Sequence, residues 1–209
     1  MSKVDTFFQT LKKRGIRPAL SAVLQKLKHG ESLVARFEIE RKWIGKLASR
    51  DNLTAAEIGV REGRHAAYLI DTLDIGKLYL IDPYEAYEEY SEGWATDDAM
   101  TGIETTARER LGGFKSTKFI REYSNDAISD ISENLDFVYI DGNHEYEFVK
   151  DDIANYYPLV REGGILAGHD YTPGNPGVIQ AVNEFAHQHG LQVRRDIHSD
   201  WFFIKPGTE

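Results

Sequence analysis

The sequence predicts an α/β fold: a Rossmann-like, doubly wound sheet of about seven strands, mostly parallel with an antiparallel last strand, plus N-terminal helices. Three observations predict it. From about Leu53 onward, short apolar runs alternate with amphipathic segments, the pattern of a parallel sheet with helices on both faces. Several of these runs close on polar residues, which right-handed crossovers bring to one edge of the sheet. The last two runs are joined by only His198-Ser199-Asp200, too short for a parallel crossover, so the final strand must turn back.

The elements follow in order. Residues 1–50 read as helical: Val4, Phe7, Phe8 and Leu11 share one helical face, Leu20, Val23, Leu24 and Leu27 a second, and Phe37, Trp43, Ile44 and Leu47 the stripe of a third over about Leu33 to Ala48. Strands are predicted at Thr54–Val60, Lys77–Asp82, Thr117–Tyr123, Leu135–Asp141, Gly164–Asp170, Val193–Ile197 and Trp201–Lys205. Helices fall between them at about 64–74, 98–111, 125–131, 145–160 and 177–189. The chain therefore divides into a helical extension over 1–50, a cap or oligomerisation arm, and an α/β domain over 51–209.

Composition narrows the function classes. The 209 residues contain no cysteine, which excludes disulfides, zinc-thiolate sites and cysteine nucleophiles. No apolar run reaches the length of a membrane helix, and charge interrupts the N-terminus too early for a secretory signal, so a cytoplasmic protein is expected. Residues 1–50 hold 12 Lys/Arg against 4 Asp/Glu, a charge of +8; the rest hold 13 against 30, a charge of −17, which together give the net −9. An acidic body argues against tracking the phosphates of DNA or RNA. The basic segment suits docking on its own chain or on a second subunit better than on an anionic membrane, so a homo-oligomer is expected.

Four motifs carry candidate chemistry. Glu57-Ile58-Gly59-Val60-Arg61-Glu62-Gly63 closes the first strand and opens a helix. Its glycines permit positive φ and close approach of a ligand. Its two carboxylates would repel a pyrophosphate, which wants bare amides at a helix N-terminus, yet would tolerate a cationic sulfonium bearing an amino group. Asp82 ends the second strand about 20 residues past the glycines, where an acid receives ribose hydroxyls; capping the next turn is its structural alternative. Asp141 ends the fourth strand, and His169 and Asp170 end the fifth. Two carboxylates and an imidazole suit a divalent cation such as Mg²⁺, Mn²⁺ or Fe²⁺, or form a hydrogen-bonded network without one. His144 begins the helix after Asp141 and is either a base titrating near neutrality or a solvent-facing helix residue.

At these four sites the sequence resembles the class I S-adenosylmethionine-dependent methyltransferases, over roughly residues 50–206. The nearest look is to the metal-dependent O-methyltransferases acting on sugars, macrolides and related natural products. The resemblance implies that Glu57, Gly59 and Gly63 line the methionine part of S-adenosylmethionine, that Asp82 holds the ribose, and that Ser124 and Asn125 sit near the adenine. It implies Mg²⁺ at Asp141, His169 and Asp170, with Asp141 and His144 as the catalytic residues and His144 as the base. Family members often carry two acids, or an acid and an amide, where this chain has His169-Asp170. Signatures of DNA methyltransferases, Asn-Pro-Pro-Tyr or Pro-Cys in type, are absent.

Two loops join the expected site. Tyr84–Asp98 sets Tyr84, Tyr87, Tyr90 and Trp94 among Glu85, Glu88, Glu89, Glu92, Asp97 and Asp98, a length and composition that read as a lid or as a connector covering the core. Pro173-Gly174-Asn175-Pro176-Gly177 leaves the fifth strand at the same edge. The activity expected is methyl transfer to a hydroxyl of a small molecule. The rivals are a metal-independent methyltransferase for another acceptor, a non-catalytic module that only binds S-adenosylmethionine, and a nicotinamide oxidoreductase, which the Glu57–Gly63 spacing disfavours.

Overall fold

The computed structural model describes residues 41–86 and 96–207. A seven-stranded sheet runs through them in the order β3-β2-β1-β4-β5-β7-β6. Its strands are β1 (Leu53–Ile58), β2 (Ile75–Ile81), β3 (Thr117–Ile120), β4 (Leu135–Ile140), β5 (Val160–Gly168), β6 (Arg194–Arg195) and β7 (Trp201–Ile204). The first five pair in parallel, and β7 lies antiparallel between β5 and β6. The helices are α1 (Lys42–Leu47), α2 (Arg64–Thr72), α3 (Asp97–Leu111), α4 (Ser124–Ala127), α5 (Tyr146–Tyr156) and α6 (Pro176–His189).

Alternation along the strands builds two cores. On β4, Val138 and Ile140 face one side with Val149, Ile153 and Tyr156 of α5 and Val178 and Val182 of α6. Phe137 and Tyr139 face the other with Trp43, Ile44 and Leu47 of α1 and Ala66 and Leu69 of α2. This two-residue period in a strand buried on both sides marks a central strand of a doubly covered sheet. Of the third N-terminal stripe, Trp43, Ile44 and Leu47 are fully buried; Phe37 and the two earlier stripes lie outside the described residues.

Where strand ends differ from expectation, side chains explain it. The sixth strand shrinks to Arg194–Arg195 because the Asp196 carboxylate accepts from Ile197 N and starts a 3₁₀ turn. The fifth begins earlier, at Val160, with Gly163 at φ 68° and a register shift against β4. At the other margin of the acidic loop, Asp97 and Asp98 form the first turn of α3, where Thr96 caps Ala99 N and carboxylates meet the positive end of the helix dipole.

Candidate active site

The C-terminal ends of β1, β2 and β4 meet around Gly59. Its φ is 81°, and a Cβ there would lie 2.1 Å from the carbonyl oxygen of Asp141. Gly59 N donates to Ile81 O, and Asp141 N to Ile58 O. The glycine is thus what lets the three strand ends close together. Gly63, at φ 70°, serves helix packing: a Cβ there would meet the Leu111 side chain of α3 at 2.5 Å.

Asp82 follows β2. Its carboxylate accepts from Arg61 N and Tyr84 N, both at 2.9 Å, so both turns at this corner are tied to one rigid acid. Burial raises its pKa, against the backbone hydrogen bonds that lower it. Tyr84 is not part of a lid: it is 2% exposed, and its hydroxyl donates to Arg61 O. Tyr87, Tyr90, Trp94, Glu88, Glu89 and Glu92 lie outside the described residues.

A cavity opens over this corner. Gly59, Arg61, Asp82, Glu85, Ser124, Asp141, Asn143 and Asp152 line it, together with Tyr123, Phe148 and Met100. Four carboxyl groups against one guanidinium suit a cationic ligand better than a pyrophosphate. Ser124 stands on the wall, whereas Asn125 lies off it and accepts from Asn155 Nδ2.

Asp141, His144, His169 and Asp170 converge beside the cavity. Asp170 takes φ 59°, a left-handed conformation that a non-glycine side chain adopts at a cost of about 1–2 kcal/mol. The turn is strapped by Tyr171 N to Ser199 O, Thr172 N to Asp170 O, and Trp201 Nε1 to His169 O. His144 Nε2 lies 2.9 Å from Asp170 Oδ2, and His169 Nδ1 lies 3.1 Å from the same oxygen and 3.7 Å from Asp141 Oδ1. Gly177 of α6 packs on the backbone of His144 and Tyr146, where a Cβ would come within 2.7 Å; this loop positions His144 and is not on the cavity wall.

The charges answer one another. The Asp170 contacts push both imidazoles up, and the two histidines hold Asp170 well below the usual carboxylate range. Burial pushes Asp141 up to about 7, opposed by His169 and reinforced by Asp170. Asp141, His144 and Asp170 each offer a donor atom within 4.8 Å of the other two. Hard oxygen donors with an imidazole at this separation fit a divalent cation.

Glu57 lies beneath the cavity rather than on its wall, 1% exposed. Its Oε2 faces His65 Nδ1 at 3.4 Å, and both atoms lack a hydrogen-bond partner. Burial holds this pair neutral, raising Glu57 to about 8 and lowering His65 to about 3. Arg41 contacts His65 Nε2, crosses the Tyr139 ring and pairs with Asp200 at 3.1 Å. Asp200, fully buried, also accepts from Trp43 Nε1 and Tyr139 Oη, each at 2.9 Å. Asp200 therefore joins Arg41 and α1 to β4 and to the start of β7, next to Trp201, which holds the His169 carbonyl.

Sequence reasoning missed Arg41, His65, Asp152 and Asp200. Asp152 had a signal: it sits among Val149, Ile153 and Tyr156 on the buried stripe of α5, where a helical period demands an apolar residue. The other three belong to no motif and are brought together only by tertiary packing.

Comparison with known proteins agrees with this geometry. Residues 56–171, more than half the chain, match the family described as a methyltransferase domain. An uncharacterized protein, R132, of Acanthamoeba polyphaga mimivirus is 27% identical over 146 residues, 65% of this chain; the match spans 60% of that relative's length. An rRNA methylase from Streptococcus thermophilus superposes with a TM-score of 0.56 at 14% identity, over 79% of this chain and 93% of that one. CalS11, a TDP-rhamnose 3'-O-methyltransferase of calicheamicin biosynthesis, superposes with a TM-score of 0.55 at 14% identity, over 77% and 75%. At such identities these structures share the fold, and the family match carries the assignment. With a glycine cradle, a buried strand-end acid and an acid-lined cavity at one sheet edge, the chain belongs to this methyltransferase-domain family and has the fold of the class I S-adenosylmethionine-dependent methyltransferases.

Proposed function

We propose that the chain transfers the methyl group to a hydroxyl of a small molecule, a sugar, glycoside or related natural product, with the help of a divalent cation, Mg²⁺ first among them. The observation that carries this reading is the convergence of Asp141, His144, His169 and Asp170 beside the cavity. The acidic body, −17 over residues 51–209, disfavours a nucleic-acid acceptor.

The residues divide the work. Gly59 and Asp82 would hold the cofactor in the cavity that Asp141 also lines. The acceptor oxygen must lie about 3 Å from that carbon, in line with the leaving sulfur; the carbon–sulfur bond breaks as the carbon–oxygen bond forms. Asp141 and Asp170 would hold the cation, with His169 as third ligand or hydrogen-bonded support. A divalent cation there supplies positive charge that lowers the pKa of the acceptor hydroxyl. His144 takes the proton at its imidazole. The contact with Asp170 raises the His144 imidazole, and a ring that titrates near neutrality suits a base.

The geometry supports a second assignment. The donor atoms of His144, not His169, complete the trio within 4.8 Å; in this assignment His144 replaces His169 as ligand and His169 is the base. Metal titration followed by calorimetry separates the two. In the first reading His144→Ala keeps metal and cofactor and loses about 10²–10⁴ in rate; in the second it loses the metal. Asp141→Asn and Asp170→Asn lose metal and activity together in both. Full activity in a chelator removes the cation and favours a metal-independent methyltransferase. Absence of turnover across sugars, glycosides and catechol-type phenols, with S-adenosylhomocysteine still binding, favours a binding module. Residues 1–50 are proposed as an arm of a homo-oligomer in the cytoplasm, and removing residues 1–40 should lower the mass seen in light scattering.

A further inference from the structure

The wall of the cavity carries a group that the mechanism does not use. Asp152 on α5 is 4% exposed, yet its carboxyl belongs to the cavity wall. Ser124 of α4 donates to it. The titratable groups around it are acidic or phenolic: Asp151 and Tyr156 on its own helix, with Asp141 and Glu85 also on the cavity wall. Among the described residues no cation pairs with it, and the guanidinium on the wall, Arg61, belongs to the turn tied to Asp82. A carboxyl buried without a cation resists ionisation, and burial raises Asp152 to about 7.

The surroundings are shaped for a flat ring. Tyr123 and Phe148 are the large apolar side chains left exposed among the described residues, each 42%, and both line the same cavity. Exposed rings beside a buried polar group offer stacking faces and one hydrogen-bonding edge. Asp82 lines the same cavity, so a nucleoside with its ribose at Asp82 would have its base within reach of these side chains.

We propose that Asp152 is a specificity-determining residue for the base of the cofactor, reading one edge of adenine. This rests on the S-adenosylmethionine reading of the cavity. A neutral acid presents one O–H donor and one carbonyl acceptor. The 6-amino group of adenine donates and the neighbouring ring nitrogen accepts, so the two edges are complementary. A carboxylate presents only acceptors and leaves the ring nitrogen facing negative charge. Binding therefore holds the proton on Asp152, and affinity is full below its free pKa and declines as pH rises through it.

The test is calorimetry with S-adenosylhomocysteine from pH 6 to 8.5 on the wild type, Asp152→Asn and Asp152→Ala. The asparagine offers a donor and an acceptor at every pH, and it shares with the wild type any titration of Asp82, Asp141 or Glu57. The expected result is that Asp152→Asn binds within about threefold of wild type at pH 6, and that wild type weakens against it by about tenfold by pH 8.5. Asp152→Ala should bind about tenfold or more weakly at pH 6. A wild-type to Asp152→Asn ratio constant with pH would overturn the proposal and leave Asp152 as a support for Ser124, even if the alanine variant fails to fold. Absence of binding by the wild type at every pH would instead overturn the cofactor reading beneath it.

Discussion

Replacing Gly59 by alanine isolates the step on which the cavity depends. The new Cβ would stand 2.1 Å from Asp141 O, 2.5 Å from Asp141 C and 2.7 Å from Gly142 N, all backbone atoms. Ordinary contact begins at 3.4 Å, so β1 and β4 must part by about 1.3 Å at the cavity floor. The left-handed φ of 81° adds about 1–2 kcal/mol, and overpacking about 1–3 kcal/mol more. The sum, about 2–5 kcal/mol, lowers the melting temperature by about 4–20 °C for a body of this size. Gly63→Ala is the control. It has a similar φ, 70°, but its Cβ meets the mobile end of Leu111, so about 1–2 kcal/mol is expected. Thermal unfolding and S-adenosylhomocysteine calorimetry on both variants decide the matter. Gly59→Ala should bind at least about tenfold more weakly, because a shift near 1 Å displaces Asp141, while Gly63→Ala should bind within a few-fold of wild type. Wild-type affinity in Gly59→Ala would refute the account of the strand junction.

Two further predictions concern the polar layer below the cavity. Asp200→Ala leaves the Arg41 guanidinium buried without its partner and strips Trp43 and Tyr139 of their acceptor; a loss of about 3–5 kcal/mol is expected by chemical denaturation, and a loss under about 1 kcal/mol would show that α1 is not anchored there. Glu57 rises to about 8 in the folded chain from an ordinary 4.5, so between these values the folded state binds more protons than the unfolded one and stability falls as pH rises. Melting temperatures from pH 5.5 to 8.5 should decline for the wild type and decline less for Glu57→Gln; parallel curves would contradict the neutral Glu57–His65 pair.

The sheet was legible because its signals are local. Short apolar runs closing on polar residues located every strand, and the three-residue link before β7 required an antiparallel return. Strand ends were less legible, since the Asp196 side chain cuts β6 short through a bond to its own neighbour. Asp141, His144, His169 and Asp170 could be placed at one edge because strand order dictates where they end. Asp200 could not, because its partners Arg41, Trp43 and Tyr139 are distant in sequence and no spacing records the contact. The same limit hid the partner of Gly63: the motif shows a glycine that permits positive φ, whereas Leu111 lies on another helix. Asp152 was readable in principle as an acid on an apolar stripe, a conflict between local pattern and residue type of the kind that marks functional positions.

The most direct test of the central claim is calorimetry of the wild type and Asp82→Ala with S-adenosylhomocysteine and, separately, with NAD. The account predicts saturable one-to-one binding of S-adenosylhomocysteine, about tenfold or more weaker in Asp82→Ala through loss of charge-assisted ribose hydrogen bonds, and no binding of NAD. Binding of NAD without binding of S-adenosylhomocysteine would contradict it.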